Sequence, residues 1–276
     1  MFPTLPVDSN RVDEALRRTI YRDAKREVRV GDLVGLFLDA GLRVFIVGGA
    51  PRDWLLGQPG RDIDLSLDRP LEEVHRLLRE AHPDIDPVLL RLERFGTLRW
   101  GNEAGGVDLN ILRSWKDIQN DEMWTTTFVA REDVREDALT RDFSINAFFY
   151  DCRERVLLDP LDCGLEDLHA RRLRLITHRR VLDTSYRTTF RILQFLCRGY
   201  TPAPNVLEHL ERYADHDIQG MDGRLRQWIP NHLGPGFEHL DEFKRRLYAC
   251  ARQEKSRLIL DALFCKHLCW QWPGGR

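Results

Sequence analysis

The chain has 276 residues and a formal net charge of -2, with 42% hydrophobic and 31% charged residues. This composition excludes a disordered or fibrous chain, and the near-neutral charge excludes attraction to nucleic acid by overall basicity, leaving only a local patch for that role. The opening MFPTLPVDSN lacks the basic start and apolar core of a signal peptide, and no apolar run reaches the ~20 residues of a membrane-spanning helix, so a cytoplasmic location without a membrane partner is expected.

Between Val12 and Leu42, charged and apolar residues alternate at helical spacing up to a stop at Gly41, which predicts two helices. RVFIVGG reads as a short strand ending in a glycine turn, and PRDWLLG as a helix with proline in its first turn. DIDLSL, Asp62 to Leu67, has strand periodicity that puts Asp62 and Asp64 on one face and Ile63 and Leu65 toward a core. LEEVHRLLREAH is an amphipathic helix, and up to three strand-like runs follow through FGTLRW and GVDLNILR. The mixed order predicts a small α/β or α+β sheet.

From Ser114 to Ala130 the apolar pattern dissolves, which predicts a loop or partly ordered insertion. A helical stretch carrying TRDFSINAFFYD is expected beyond Arg131. Strand-like runs at Val156 to Leu158 and Leu173 to Ile176 bracket a turn of helix led by Gly164. Beyond Thr184 the chain reads as helical, broken by prolines and glycines. Its basic-aromatic mixtures, RLRQWIPNH and DEFKRRLYACARQEKSRL, suit either a phosphate backbone or an ordinary solvated helix face. The six cysteines read as reduced thiols, and CKHLC at Cys265 to Cys269 as a buried helix face rather than a zinc site.

The chemistry concentrates on Gly48 to Leu65. Two aspartates one residue apart on a strand suit a pair of divalent cations ~3.5–4 Å apart, and hard cations require oxygen ligands. Asp108 in GVDLNILR supplies a third carboxylate on a strand-like run, so Asp62, Asp64 and Asp108 are expected to form one metal cluster. Alternating acids also describe the solvent face of many edge strands. Gly48 and Gly49, at a strand end before a helix, favour the first reading, because backbone N–H groups there can approach phosphate oxygens. Arg52 suits either a phosphate contact or an ion pair with Asp53, and Asp142 or Ser144 suits a helix cap as well as a ligand contact.

GGAPRDWLLGQPGRDIDL resembles the first motif of the class II tRNA nucleotidyltransferase and bacterial poly(A) polymerase family. FGTLRW with GVDLNILR is similar to the strand pair bearing the family's third carboxylate, LTRDFSINAFFYD to its arginine-aspartate motif, and LLDPLDCGLEDLHARRLRLI to its neck entry. The resemblance implies an α+β, polymerase-β-like nucleotidyltransferase head over residues 1–150, then an all-helical neck and short body over 151–276. It implies a nucleotide site of Gly48, Gly49, Arg52, Arg141, Asp142 and Asn146, with Arg141 on phosphate and Asp142 on the ribose hydroxyl. Two magnesium ions on Asp62, Asp64 and Asp108 would serve addition of nucleotides from ATP or CTP to an RNA 3′ end, a tRNA or tRNA-like end foremost.

The chain departs from the pattern in places. Thr140 stands where the family carries a further arginine, Gln194 replaces another, and the base-selecting motif is not recognisable after Arg198, the nearest candidates being DGRLRQW and EHLDEFKRRL. The body is short, so a partner protein or oligomer is expected to supply RNA affinity, and a small-molecule or protein acceptor is an alternative. A nucleotide- or RNA-binding module without activity is a third reading.

Overall fold

The computed structural model describes residues 2–177, apart from 61, 85–89, 93–95, 102–105, 121–122 and 131–132, followed by residues 188, 191–192, 195–196 and 198–213. Gln194, RLRQWIPNH, DEFKRRLYACARQEKSRL, DGRLRQW, EHLDEFKRRL and CKHLC lie outside the described residues. No described helix is long and apolar enough to cross a membrane.

In chain order the elements are β1 (Thr4–Leu5), α1 (Ser9–Leu16), β2 (Thr19–Arg22), β3 (Glu27–Arg29), α2 (Val30–Asp39), β4 (Val44–Val47), α3 (Gly49–Leu55), β5 (Asp64–Leu67) and α4 (Leu71–Ala81). Then come β6 (Leu90–Leu92), β7 (Thr97–Trp100), β8 (Val107–Ile111), β9 (Arg113–Asn120), β10 (Met123–Ala130), α5 (Val134–Ala138), a 3-10 turn over Ser144–Asn146, β11 (Phe149–Asp151) and β12 (Val156–Leu158). The last are α6 (Gly164–His169), β13 (Arg172–Leu173), β14 (Thr201–Pro202) and α7 (Pro204–Tyr213).

Eight strands form one sheet in the order β1-β12-β11-β4-β5-β8-β7-β6. It is mixed: β5 and β8 run parallel, while β4, β7, β11 and β12 pair antiparallel with their neighbours. Residues opposite one another share a face, so the register defines two layers. One layer is Tyr150, Ile46, Leu65, Leu109 and Leu98, and all five are buried. The other begins apolar, with Phe149 and Val47, and turns polar at Asp64, Asp108 and Arg99. Its apolar half packs with Phe45, Leu112, Val134, Ala138 and Ala147. On α4 the buried residues Leu71, Val74 and Leu78 recur at helical spacing, with Glu72 and Glu73 in the first turn and Arg79 in the last, matching the helix dipole.

Three segments differ from expectation. The second half of EALRRTIYRDAKREV is the β2–β3 hairpin, not helix. Its turn is set by Asp23, whose Oδ1 accepts from the Lys25 and Arg26 amides at 2.7 and 2.9 Å, while Ile20 and Val28 bury themselves. Residues 113–130 are not a loop: β9 and β10 pair along their full length, from Arg113↔Ala130 to Asn120↔Met123. The runs of Thr, Val, Ile and aromatic residues there favour extended backbone, although no simple apolar alternation marks them. TRDFSINAFFYD is helical only over the 3-10 turn, and its Phe149, Tyr150 and Asp151 are strand.

The chain divides into two compact units, Met1–Leu168 with Ile176–His178, and His169–Leu175 with Arg179–Arg276. The first unit runs past the division expected at residue 150, because β11 and β12 belong to its sheet. Within the second, β13 pairs parallel with β14, and Asn205 brackets the Leu175 backbone, donating to its carbonyl at 2.9 Å and accepting from its amide at 3.4 Å.

Candidate active site

β4 ends at Gly48, which caps α3 with φ 80° and ψ -130°, a conformation open to glycine and costly for other residues. A Cβ there would stand 3.0 Å from Asp64 Oδ2, so the absence of a side chain also lets the turn approach that carboxylate. Gly49 begins the helix beneath the Arg52 guanidinium. Gly60, not singled out in the sequence, sits equally tightly, since its Cβ would lie 2.7 Å from Ala50 Cβ.

These contacts carry a stability prediction. Gly48→Ala costs about 1–3 kcal/mol in chemical denaturation, because it forces a residue with a Cβ into a glycine conformation. Gly35→Ala, in the middle of α2 with open space at its Cβ, gains up to about 1 kcal/mol.

Asp64 opens β5, and Asp108 is its direct partner across the parallel pairing. Ser66 and Asn110 form the next row on the same face. Asp62 stands two residues ahead of β5, exposed, rather than within the strand, while Ile63 and Leu65 are buried as expected. Asp108 accepts from Arg99 Nη1 at 3.1 Å, a contact between half-exposed side chains. Burial, then repulsion from Asp108, raises the Asp64 carboxyl to about 6, with Asp62 adding to the shift and Arg141 opposing it. Among the described residues no three His, Cys, Asp or Glu side chains already converge as a metal site. The expected trio is instead a register pair with a third carboxylate beside it. Its donor chemistry suits a hard cation, which would offset both the burial of Asp64 and its repulsion from Asp108.

A second group of site residues follows α5. Arg52 places Nε and Nη2 on Asp53 Oδ1, at 2.9 and 2.6 Å, and Nη1 on Asn146 Oδ1 at 2.6 Å. Asn146 in turn donates to Asp142 Oδ1 at 2.9 Å, which also accepts the Phe143 amide at 2.8 Å. Arg52 therefore has the ion pair with Asp53 that its sequence left open, and links the glycine turn to the RDFSIN segment. Ser144 caps nothing here, since its hydroxyl donates to the buried Asp167 carboxylate at 2.6 Å. Thr177 Oγ1 and the Ile176 amide bond the Arg141 and Asp142 carbonyls, fixing that backbone from behind.

Arg141 lies on the face of Asp64: its Nη2 donates to Ser66 Oγ at 3.0 Å and to Asp137 Oδ2, and its guanidinium rests over the Phe149 ring. Asp137 is fully buried and has a second basic neighbour, Arg113 Nε, at 3.9 Å. Burial, then repulsion from Arg141, lowers the Arg113 pKa to about 10. Sequence reasoning missed Asp137, Arg113, Ser66 and Asn110. Asn110 Oδ1 accepts from Thr97 Oγ1 at 2.7 Å and its amide donates to the Leu65 carbonyl, bracing the strands that carry the carboxylates.

The mixed sheet thus carries adjacent carboxylates on its central parallel strands, with a glycine turn at Asp64 and an arginine on the same face. Residues 44–174 match the family model described as the Poly A polymerase head domain. The chain is 29% identical over 154 residues to the CCA-adding enzyme of Pediococcus pentosaceus, covering 54% of this chain and 36% of that protein. It is 26% identical over 194 residues to poly(A) polymerase I of Escherichia coli, covering 63% of this chain and 38% of that protein. The fold matches a solved complex of a CCA-adding enzyme with ATP at a TM-score of 0.61 and 19% identity, covering 97% of this chain and 57% of that one. The chain thus spans less than two fifths of the length of these curated relatives.

Proposed function

We propose that the protein is a nucleotidyltransferase that adds nucleotides from ATP or CTP to the 3′-hydroxyl of RNA, a tRNA-like end foremost, with release of pyrophosphate. The observation that carries this reading is the pairing of Asp64 with Asp108 across β5 and β8, directly beside the Gly48 turn. In the reaction the 3′-oxygen attacks the α-phosphorus, the bond to the β-phosphate oxygen breaks, and the hydroxyl proton is lost. Magnesium ions held by Asp62, Asp64 and Asp108 would supply the Lewis acidity for this step.

The chain's own groups bind and orient. The amides of the Gly48–Gly49 turn, at the start of α3, face negative charge favourably. Arg141 offers a preorganised cation for phosphate oxygens, and Asp142, steadied by Asn146, takes the ribose hydroxyl. The residues of this reading all lie in the first compact unit.

The reading is tested by incubating the protein with each NTP in turn, magnesium, and tRNA lacking its 3′ end, with products resolved to single nucleotides. Stepwise extension with ATP or CTP is expected. A lack of extension with every NTP, alongside labelling of a metabolite or protein fraction, would move the activity to another acceptor. NTP binding without turnover on any acceptor would make the protein a binding module.

A further inference from the structure

We infer that Arg52 is a positioning residue for sugar selection: with Asp53 as its counter-charge it orients the Asn146 amide, and through it the Asp142 carboxylate that takes the ribose hydroxyl. The inference rests on the nucleotidyl-transfer reading and deepens it, since it assigns Arg52 to the sugar rather than to a phosphate contact.

The charge of Arg52 is met within its own helix. Nε and Nη2 both donate to Asp53 Oδ1, at 2.9 and 2.6 Å, so the planar guanidinium is held at two points. The two side chains are only 12% and 21% exposed. A shielded pair of opposite charges that is already closed supplies orientation rather than a cation for phosphate. Gly49 makes the room for it, because a Cβ there would stand 3.3 Å from Arg52 Nη2.

The direction of the next two bonds follows from what each group can donate. A guanidinium has donors only, so the Asn146 atom 2.6 Å from Arg52 Nη1 is the amide oxygen. The amide nitrogen is thereby turned to Asp142 Oδ1, which it meets at 2.9 Å, and an ionised carboxylate only accepts. The same oxygen receives the Phe143 amide at 2.8 Å, so two donors set the carboxylate, and Arg52 governs one of them. Asn146 is buried in the 3-10 turn, which its backbone amide closes on the Phe143 carbonyl at 2.9 Å, so water competes little for its side chain. Without Arg52 the amide can reverse and bring its oxygen against Asp142, two acceptors face to face. One side chain on α3 therefore couples the glycine turn to the sugar carboxylate.

The test measures equilibrium binding of ATP, AMP, 2′-deoxy-ATP and 3′-deoxy-ATP, with magnesium and without RNA, to the wild-type chain, Arg52→Lys and Asn146→Asp. Wild type is expected to favour ATP over one of the two deoxy analogues about tenfold or more, as loss of a hydroxyl bonded to a carboxylate does. Arg52→Lys keeps the charge beside Asp53 but has no second nitrogen for Asn146. Asn146→Asp keeps the volume and the bond from Arg52 but cannot donate to Asp142. In both variants the sugar preference should shrink to within about threefold, and in Arg52→Lys the preference for ATP over AMP should stay as in wild type. Asn146→Asp carries the test if Arg52→Lys does not fold. A sugar preference retained in either folded variant would overturn the inference and leave the nucleotidyl-transfer reading intact. So would a loss in Arg52→Lys that falls on ATP over AMP, which is the mark of a phosphate contact, or a wild-type chain indifferent to both sugar hydroxyls. A wild-type chain that binds ATP no more tightly than AMP would overturn both.

Discussion

Asp64→Asn is expected to abolish nucleotide incorporation, by on the order of a thousandfold or more, and at the same time to make the metal-free protein more stable above pH 6. Both effects come from one carboxylate. On the proposed function, losing a ligand to the catalytic cations would remove several kcal/mol of charge stabilisation, and each ~1.4 kcal/mol is a factor of ten in rate. The stability gain follows from the Asp64 pKa, raised from an ordinary 3.8 to about 6 by burial and by Asp108. An acid that holds its proton more tightly in the folded state opposes folding once it ionises. The cost is absent below pH 3.8, grows between there and pH 6, and is complete above, at most about 3 kcal/mol. Thermal melts in chelator across this range should show the variant above wild type at pH 7 and the two converging near pH 4. Magnesium should then raise the wild-type melting temperature more than that of the variant.

Asp137→Ala produces the largest loss of stability, about 3–5 kcal/mol in chemical denaturation, because it strands the guanidiniums of Arg141 and Arg113 without their shared buried counter-charge. Asp137→Asn keeps the size and one acceptor oxygen and should cost less. Glu80→Ala, which breaks the Arg76–Glu80 pair on the open face of α4, should leave the melting temperature unchanged within error. A small loss for Asp137→Ala, comparable to Glu80→Ala, would show that the two arginines do not depend on this carboxylate.

The parts of the site that obey strand periodicity were legible in the sequence. DIDLSL turned Ile63 and Leu65 inward, and GVDLNILR put Asp108 on a neighbouring strand, where it meets Asp64 in register. Asp62 falls outside β5 because strand bounds are set by pairing, and β4, at Val47, reaches only Asp64. Asp137 and Arg141 lie four apart, which on paper is indistinguishable from a solvated helix pair, and only the fold shows Asp137 fully buried. Arg113 was hidden for a related reason, since its partner is separated from it by the whole β9–β10 hairpin. That hairpin escaped notice because its strand signal lies in β-branched and aromatic content, while TIYRDAKREV escaped because charged residues at near-helical spacing concealed the turn at Asp23.

The central claim is that the carboxylate pair on β5 and β8 transfers a nucleotide to a 3′-hydroxyl. Its most direct test is pyrophosphate release from ATP and CTP with magnesium, comparing a tRNA acceptor ending in a 3′-hydroxyl with the same acceptor ending in a 3′-deoxy nucleotide, for wild type and Asp64→Asn. One pyrophosphate per nucleotide added is expected, with the hydroxyl acceptor and the wild-type protein alone. Release that is indifferent to the 3′-hydroxyl, or undiminished in Asp64→Asn, would contradict it.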